Sequence, residues 1–361
     1  MGEGTLKDFI ETASSVSPFR VEDDFGNGFV RLRSEEAERR QAAHDIRSTE
    51  DIVIEALRNA RDAHARTILM AVSREGDRRR ITVIDDGDGI PPEMHERIFE
   101  PRVTSKLDSA HMDKWGVHGR GMALYSISVN CETARVASSD AGKGAALVFE
   151  SDLRKLGEKA DQSTFPSFEM SEAGTVMVRG PRNILRTSCE FAVDSTDSCT
   201  LYVGSPAEVA ATLHAYATAT LSAAQRAFCS DENDLPVCKR LAASADPADF
   251  ARIAEGLGLN LSERTARRIM DGQIPPLDPL VERIVIEDPH AASAPAKSRR
   301  RRVSEDGRGL KIDAGDLSDF SEAVHRAFAD LARDYYLDGS VEPDIVVRKD
   351  RITVSIPVQK L

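Results

Sequence analysis

The stretch from residue 49 to residue 90 constrains the fold of this 361-residue chain more than any other. It is announced by Ser48 and Asp51, an S-x-x-D signature of a helix start. A periodic run to about residue 65 then predicts a helix. Two strand-grade runs follow, 65–73 and 79–86. The second, built on Ile81-Thr82-Val83-Ile84, stops in the acidic, glycine-punctuated turn Asp85-Asp86-Gly87-Asp88-Gly89-Ile90. Residues 86–118, rich in Gly, Pro and charge, read as a loop with short helical pieces. A helix is expected from about Arg120 to Asn130, then strands at 132–138, 145–150 and 174–180. Helices alternating with strands in this way predict one α/β domain over 48–185.

On either side the texture changes. Residues 1–47 form an N-terminal arm: two short strands around Phe25-Gly26-Asn27-Gly28, then a charged helix over 34–47. Residues 186–285 read as an α+β and helical region, opening with a strand near 200 and a long alanine-rich helix. Within it, 248–271 has helix-turn-helix character. Phe250, Ile253 and Ala254 pack the first helix, Gly256 and Gly258 punctuate the turn, and Ser262 caps a second helix that exposes Arg264, Arg267 and Arg268. A helical hairpin with merely solvated arginines fits the same pattern. Residues 286–309 read as a basic linker containing Lys297-Ser298-Arg299-Arg300-Arg301-Arg302, and 310–361 as a small α+β module with a helix and a hairpin.

Composition removes several classes. The longest apolar runs are of strand length, well short of the roughly 20 residues a membrane helix needs, so no membrane association is expected. The first residues lack the basic-then-apolar order of a secretory signal. Five scattered cysteines without C-x-x-C spacing argue against a disulfide framework or zinc site and for a reducing cytoplasm. A net charge of −12 argues against coating nucleic acid over the whole surface, though not against a local basic site.

Three segments carry candidate chemistry. On the helix, Glu55, Asn59 and Asp62 fall on one face, while Val53, Ala56, Leu57 and Ala60 supply a packing side. Asn59 offers a neutral oxygen suited to Mg²⁺, and Glu55 could take a proton from an attacking water. An ordinary solvated helix face has the same composition. In the second segment, Asp85 at a strand end can accept from an exocyclic amine such as that of adenine, and Gly87 and Gly89 permit close backbone approach. A calcium loop fits less well: Glu96 stands at the twelfth position, but Pro91-Pro92 interrupts the ligand pattern. In the third, Gly116-Val-His-Gly119-Arg120-Gly121-Met122 runs into a helix start, an arrangement that binds phosphate through free N–H groups and the helix dipole. Its order is not that of a dinucleotide fingerprint, and the chain has no G-x-x-x-x-G-K-[ST].

In this order, E-x-x-x-N-x-x-D-A, D-x-G-x-G-I and G-x-x-G-x-G-M resemble the GHKL superfamily of gyrase, heat-shock-ninety chaperones, histidine kinases and MutL. Ile98-Phe99-Glu100-Pro101 with Thr104-Ser105-Lys106 resembles its lid segment, and Ala173-Gly174-Thr175-Val176 the strand whose Thr neighbours the adenine-binding Asp. The resemblance spans about 45–185. It implies a Bergerat fold, a two-layer α/β sandwich whose mixed sheet carries helices on one face, binding ATP and Mg²⁺. By the same resemblance, Asn59 would coordinate Mg²⁺ and Asp85 would hold adenine. Gly87, Gly89 and Ile90 would shape the base pocket, and Lys106 and the Gly116, Gly119, Arg120, Gly121, Met122 turn would meet phosphates. Thr175 would support Asp85. Glu55, where histidine kinases usually carry Asn, resembles the hydrolytic members, and the style of the motifs is that of MutL or topoisomerase VI-like ATPases. His44 resembles a phosphoacceptor, but only 11 residues separate it from Glu55, too few for a two-helix dimerisation segment. The implied activity is an ATPase whose lid closure drives homodimerisation and controls a partner or DNA, the latter through 264–268 and 297–302. A nucleotide-gated DNA-binding regulator and a protein kinase are the alternatives.

Overall fold

The computed structural model describes residues 21–33, 36–105, 111–113, 116–118, 121–159, 161–170, 176–222, 231–287, 314–335, 341, 343–347 and 352–356. They divide into two compact units, one within 1–290 and one within 291–361. The first begins with a hairpin, β1 (Val21–Gly26) and β2 (Phe29–Leu32), turning through Asn27 and Gly28 at positive φ. Helices α1 (Glu36–Asp45) and α2 (Thr49–Asp62) follow, then strands β3 (Thr67–Glu75) and β4 (Arg78–Asp85). Short 3-10 turns at Pro92–Met94 and Arg97–Phe99 lead to β5 (Val103–Thr104) and a small hairpin of β6 (His111–Asp113) and β7 (Gly116–His118). Next come α3 (Ala123–Asn130), β8 (Thr133–Ser139), β9 (Ala145–Asp152), β10 (Ser167–Met170) and β11 (Val176–Arg179). The unit continues with α4 (Ile184–Asp194), β12 (Thr200–Gly204), α5 (Pro206–Thr220), a 3-10 stretch at Val237–Ala243, α6 (Pro247–Gly256), α7 (Glu263–Met270) and β13 (Ile286–Glu287).

The central sheet has the order β12-β3-β4-β9-β8. Its pairs are antiparallel except β12 with β3, which run parallel. The boundary expected near residue 185 therefore does not divide the chain into separate compact bodies, because β12 extends the same sheet. The helices begin and end for local reasons. Ser48 takes the extended N-cap conformation, yet Asp51 Oδ2 accepts from Arg47 N at 2.9 Å while Ser48 Oγ has no partner among the described residues, so the capping signature marks the start without closing a reciprocal box. Helix α2 stops at Asp62 because His64 turns left-handed, φ 61°.

The expected helical face is present. Ile52, Val53 and Leu57 of α2 and Phe191 of α4 pack on Ile68, Ile81, Val83 and Phe149. The opposite face is covered too, which goes beyond the two-layer expectation. Leu213 of α5, Leu241, and Phe250 and Ile253 of α6 pack on Leu69, Ile84 and Ala146. The cause lies in the strands: residues 81–85 are all buried, so apolar side chains leave both sides of the sheet and each side needs a layer. Gly258, at φ +79°, sits so close to the sheet that a Cβ would lie 2.2 Å from Val148 Cγ2, and its carbonyl accepts from Thr82 Oγ1 at 3.0 Å. The helix-turn-helix-like segment is thus built into the second layer.

The second unit holds α8 (Ala314–Tyr335) and the antiparallel hairpin of β14 (Asp344–Val347) and β15 (Ile352–Ser355), the helix and hairpin expected there. Phe328 and Ala332 are its buried residues among those described. The basic run 297–302 lies outside the described residues. Among the described residues, no helix is long and apolar enough to cross a membrane.

Candidate functional site

The cleft lies between α2, the end of β4, the start of α3 and the segment around β5. Of the residues expected at a site, Asn59, Asp85, Gly89, Ile90 and Gly121 line it. Its empty space of about 960 Å³ includes the solvent at its open mouth. Its wall is mainly apolar, with Ile98, Leu124 and Leu147 among the lining residues.

Asp85 is 3% exposed, and its Oδ1 accepts from Gly87 N at 2.9 Å. The loop after it is clamped on two sides. Asp88 N donates to Ala63 O at 2.8 Å, and Asp86 Oδ1 accepts from Arg66 N and Thr67 N, each at 2.7 Å. On the other side Ile90 N donates to Ser139 Oγ at 2.7 Å, and Ser139 Oγ donates to Gly144 O at 2.8 Å. The glycines are dictated by backbone approach. A Cβ on Gly87 would lie 2.4 Å from Ala63 O, and one on Gly89, φ +72°, 2.0 Å from Asp140 O. Ser139 and Gly144 escaped the sequence reading because they sit in an ordinary-looking hairpin turn, D-A-G-K-G. Its glycines were the only available signal.

Asn59 Nδ2 is buried and has no hydrogen-bond partner among the described residues, so the carboxamide is incomplete there. Amide nitrogen and oxygen exchange places by a half-turn, so this position suits a phosphate oxygen or, flipped, a hard cation. Among the described residues no group of three or more His, Cys, Asp and Glu could hold a metal. A magnesium ion here would thus rely on nucleotide oxygens and water beside Asn59, which is how Mg²⁺ is usually held.

Glu55 does not line the cleft. It stands four residues before Asn59 on the same helix face, about 6 Å along the axis. Arg58, with only 4% of its side chain exposed, donates to Glu55 Oε1 at 2.6 Å.

At the far end α3 begins at Ala123, not at Arg120, because Gly121 is left-handed, φ +67°. Met122 is its N-cap and supplies no side-chain hydrogen bond. Among the described residues, the N–H groups of the first turn therefore have no side-chain cap where Gly121, Ala123 and Leu124 line the cleft, the arrangement that receives anions. Gly116 opens β7. Lys106, Gly119, Arg120 and Thr175 lie outside the described residues. The strand after Thr175, β11, pairs with β10 in a small sheet, whereas the partners of Asp85 across the central sheet are Ile68 and Ala145.

The arm contributes to the mouth, which the sequence reading did not foresee. Phe29 lines the cleft, β2 pairs with β5, Arg31 forms an ion pair with Glu100, and the Arg97 guanidinium lies 4.7 Å from the Phe25 ring centre.

A buried carboxylate on a glycine-rich turn, a carboxamide and the start of a helix thus face one cleft. Residues 44–155 match the family of histidine kinase-, DNA gyrase B- and HSP90-like ATPases, so this segment of the chain is a GHKL ATP-binding domain on an α/β fold. The sensor protein RstB of Escherichia coli strain K12 is 38% identical over 103 residues, 26% of this chain and 23% of that protein. The DNA mismatch repair protein MutL of Geobacillus thermodenitrificans is 34% identical over 112 residues, 30% of this chain and 17% of its own length. MutL of Aquifex pyrophilus is 38% identical over 105 residues, 28% of this chain and 24% of its own length. The chain thus spans less than a quarter of each of these relatives.

Proposed function

We propose that the chain is a Mg²⁺-dependent ATPase that couples lid closure to self-association. The carrying observation is Asp85, a carboxylate 3% exposed that lines an open cleft shared with Asn59 and the uncapped start of α3. A buried carboxylate there selects a ligand that brings a donor, as the adenine amine does. Gly87, Gly89 and Ile90 shape the base pocket. Gly116, Gly119, Arg120, Gly121 and Met122, with Lys106, take the phosphates, and Thr175 supports the base side. Bound Mg²⁺ would offset charge on the phosphates, with Asn59 as its protein ligand. Glu55 accepts a proton from the attacking water, one turn from Asn59 on the same face.

Hydrolysis is favoured over transfer to His44 by the elements before α2. Between residues 21 and 45 the described chain is a short hairpin and the ten-residue α1, and His44 is exposed in its last turn. Lid closure should expose a face built from the arm and the lid, since β2 already pairs with β5. That face would dock a second copy. A DNA partner is favoured by one observation. Arg264, Arg267 and Arg268 are exposed on α7, and no ion pair forms to them among the described residues. The run 297–302 would add charge. Turnover of radiolabelled ATP, with and without duplex DNA, tests this reading. Phosphate retained on the protein would replace the ATPase by a kinase, and no turnover in either condition would leave a binding module.

A further inference from the structure

The layer behind the central sheet is tied to the base pocket through one turn. Strand β8 slips by one residue between Val136 and Ser138, a bulge. Beyond it Ser138 and Ser139 leave the strand on opposite sides, as successive residues do. Ser139 holds Ile90 N and Gly144 O, on the cleft side. Ser138 Oγ accepts from Arg240 Nη1, on the other. Arg240 is 5% exposed, and also donates to Leu235 O at 3.2 Å and Asn233 Oδ1 at 3.1 Å.

The same segment grips the turn at two further points. Lys143 Nζ donates to Asn233 O at 3.0 Å, and Val237 N donates to Lys143 O at 2.8 Å. The turn in turn bears on the base loop: Gly142 N donates to Asp88 O at 2.6 Å, and a Cβ on Gly144 would lie 2.2 Å from Asp85 O. Cys238 lies close enough to Asp85 and Asp86 that their charges add to burial in pushing its thiol up. Residues 231–243 lie outside the 44–155 match, so this support is an addition to the ATP-binding domain.

We infer that Arg240 is a positioning residue for the base pocket, through which residues 231–243 set the placement of Asp85–Ile90 and hence the preference for an adenine nucleotide. The inference rests on the reading of Asp85 as the adenine acceptor. A buried guanidinium that bonds Ser138 of β8 on one side and Asn233 and Leu235 of its own segment on the other ties the two more tightly than apolar packing alone, because each donor is costly to leave unpaired. Coupling of this kind is reciprocal, so a bound adenine nucleotide steadies 231–243.

The test uses the full chain and two nucleotides, ADP and inosine diphosphate, which lacks the exocyclic amine that Asp85 would accept from. Arg240→Met should weaken ADP binding roughly tenfold, about one hydrogen bond's worth, and weaken inosine diphosphate binding less than about twofold. Arg240→Lys should restore some of the preference. Equal weakening of both nucleotides in a folded variant, or unchanged ADP affinity, would overturn the inference. If Arg240→Met fails to fold, hydrogen exchange on the wild-type chain decides. ADP should slow the amides at 237–241 together with those at 85–90, and inosine diphosphate should slow the former much less. Protection at 85–90 without any at 237–241 overturns the coupling alone. No ADP binding and no protection at 85–90 instead overturns the adenine-site reading beneath it.

Discussion

Replacing Asp85 by asparagine changes almost nothing in shape and inverts one hydrogen-bonding site. The wild-type carboxylate is 3% exposed, and one oxygen already accepts from Gly87 N at 2.9 Å. Asparagine can keep that bond with its own oxygen, but its NH₂ then occupies the other oxygen's position. There it meets the arriving adenine amine, donor against donor. The variant loses a hydrogen bond to a charged acceptor, about 1.5–3 kcal/mol, and leaves a buried donor unpaired, about 1–3 kcal/mol. Together these make about 2.5–6 kcal/mol, or roughly two to four orders of magnitude in affinity. Isothermal calorimetry with Mg·ADP reads the change, and near-UV circular dichroism with a thermal melt shows that the variant is folded. A folded Asp85→Asn protein that binds ADP within threefold of wild type would refute the assignment of Asp85, and with it the orientation of nucleotide in the cleft.

Further outcomes are expected. Glu55→Ala should retain Mg·ATP and lose about 10²–10⁴-fold in turnover, the usual worth of a general base, while Asn59→Ala should lose the Mg²⁺-dependent component of binding; wild-type turnover in the Glu55 variant would exclude it as the base. Sedimentation with a non-hydrolysable ATP analogue should show a dimer, and a monomer under saturating analogue would remove the closure-driven interface; duplex binding, where found, should fall steeply with salt as counterions are released. Arg154 side-chain and backbone hydrogen bonds hold the Asp152 carboxyl down at about 2. Its contribution to stability is therefore complete above the ordinary carboxylate value of about 3.9 and is lost as pH falls toward 2. Thermal melts of Asp152→Asn should accordingly show a shallower acid-side decline than wild type between those values, and parallel curves would count against the pair.

Much of the site could be read from the chain because its determinants are local. A helix face needs only its own periodicity, which put Asn59 and Asp62 together, and both line the cleft, while Glu55 on that face does not. A turn that needs backbone where a Cβ cannot go needs glycine, which marked Gly87 and Gly89 directly. The strands at 67–75 and 78–85 fell within two residues of expectation for the same reason.

What tertiary structure decided are the relations between distant segments, which carry no local signature. The parallel pairing of β12 with β3 joins residues 200–204 to 67–71, and nothing in either run names its partner. Burial on both faces of β4 had to be met by some layer, but only the fold shows that residues 206–270 of this same chain supply it. Phe29 reaches the cleft because β2 pairs with β5, more than 70 residues on in sequence. Ser139 and Arg240 matter because Ser138 and Ser139, successive residues beyond the bulge, reach opposite sides of the sheet and meet segments distant in sequence. Periodicity and steric demand belong to a residue and its immediate neighbours, so sequence determined them. Strand partners, the second layer and the grip on the base loop depend on which surfaces meet, and that is settled only when the whole chain packs.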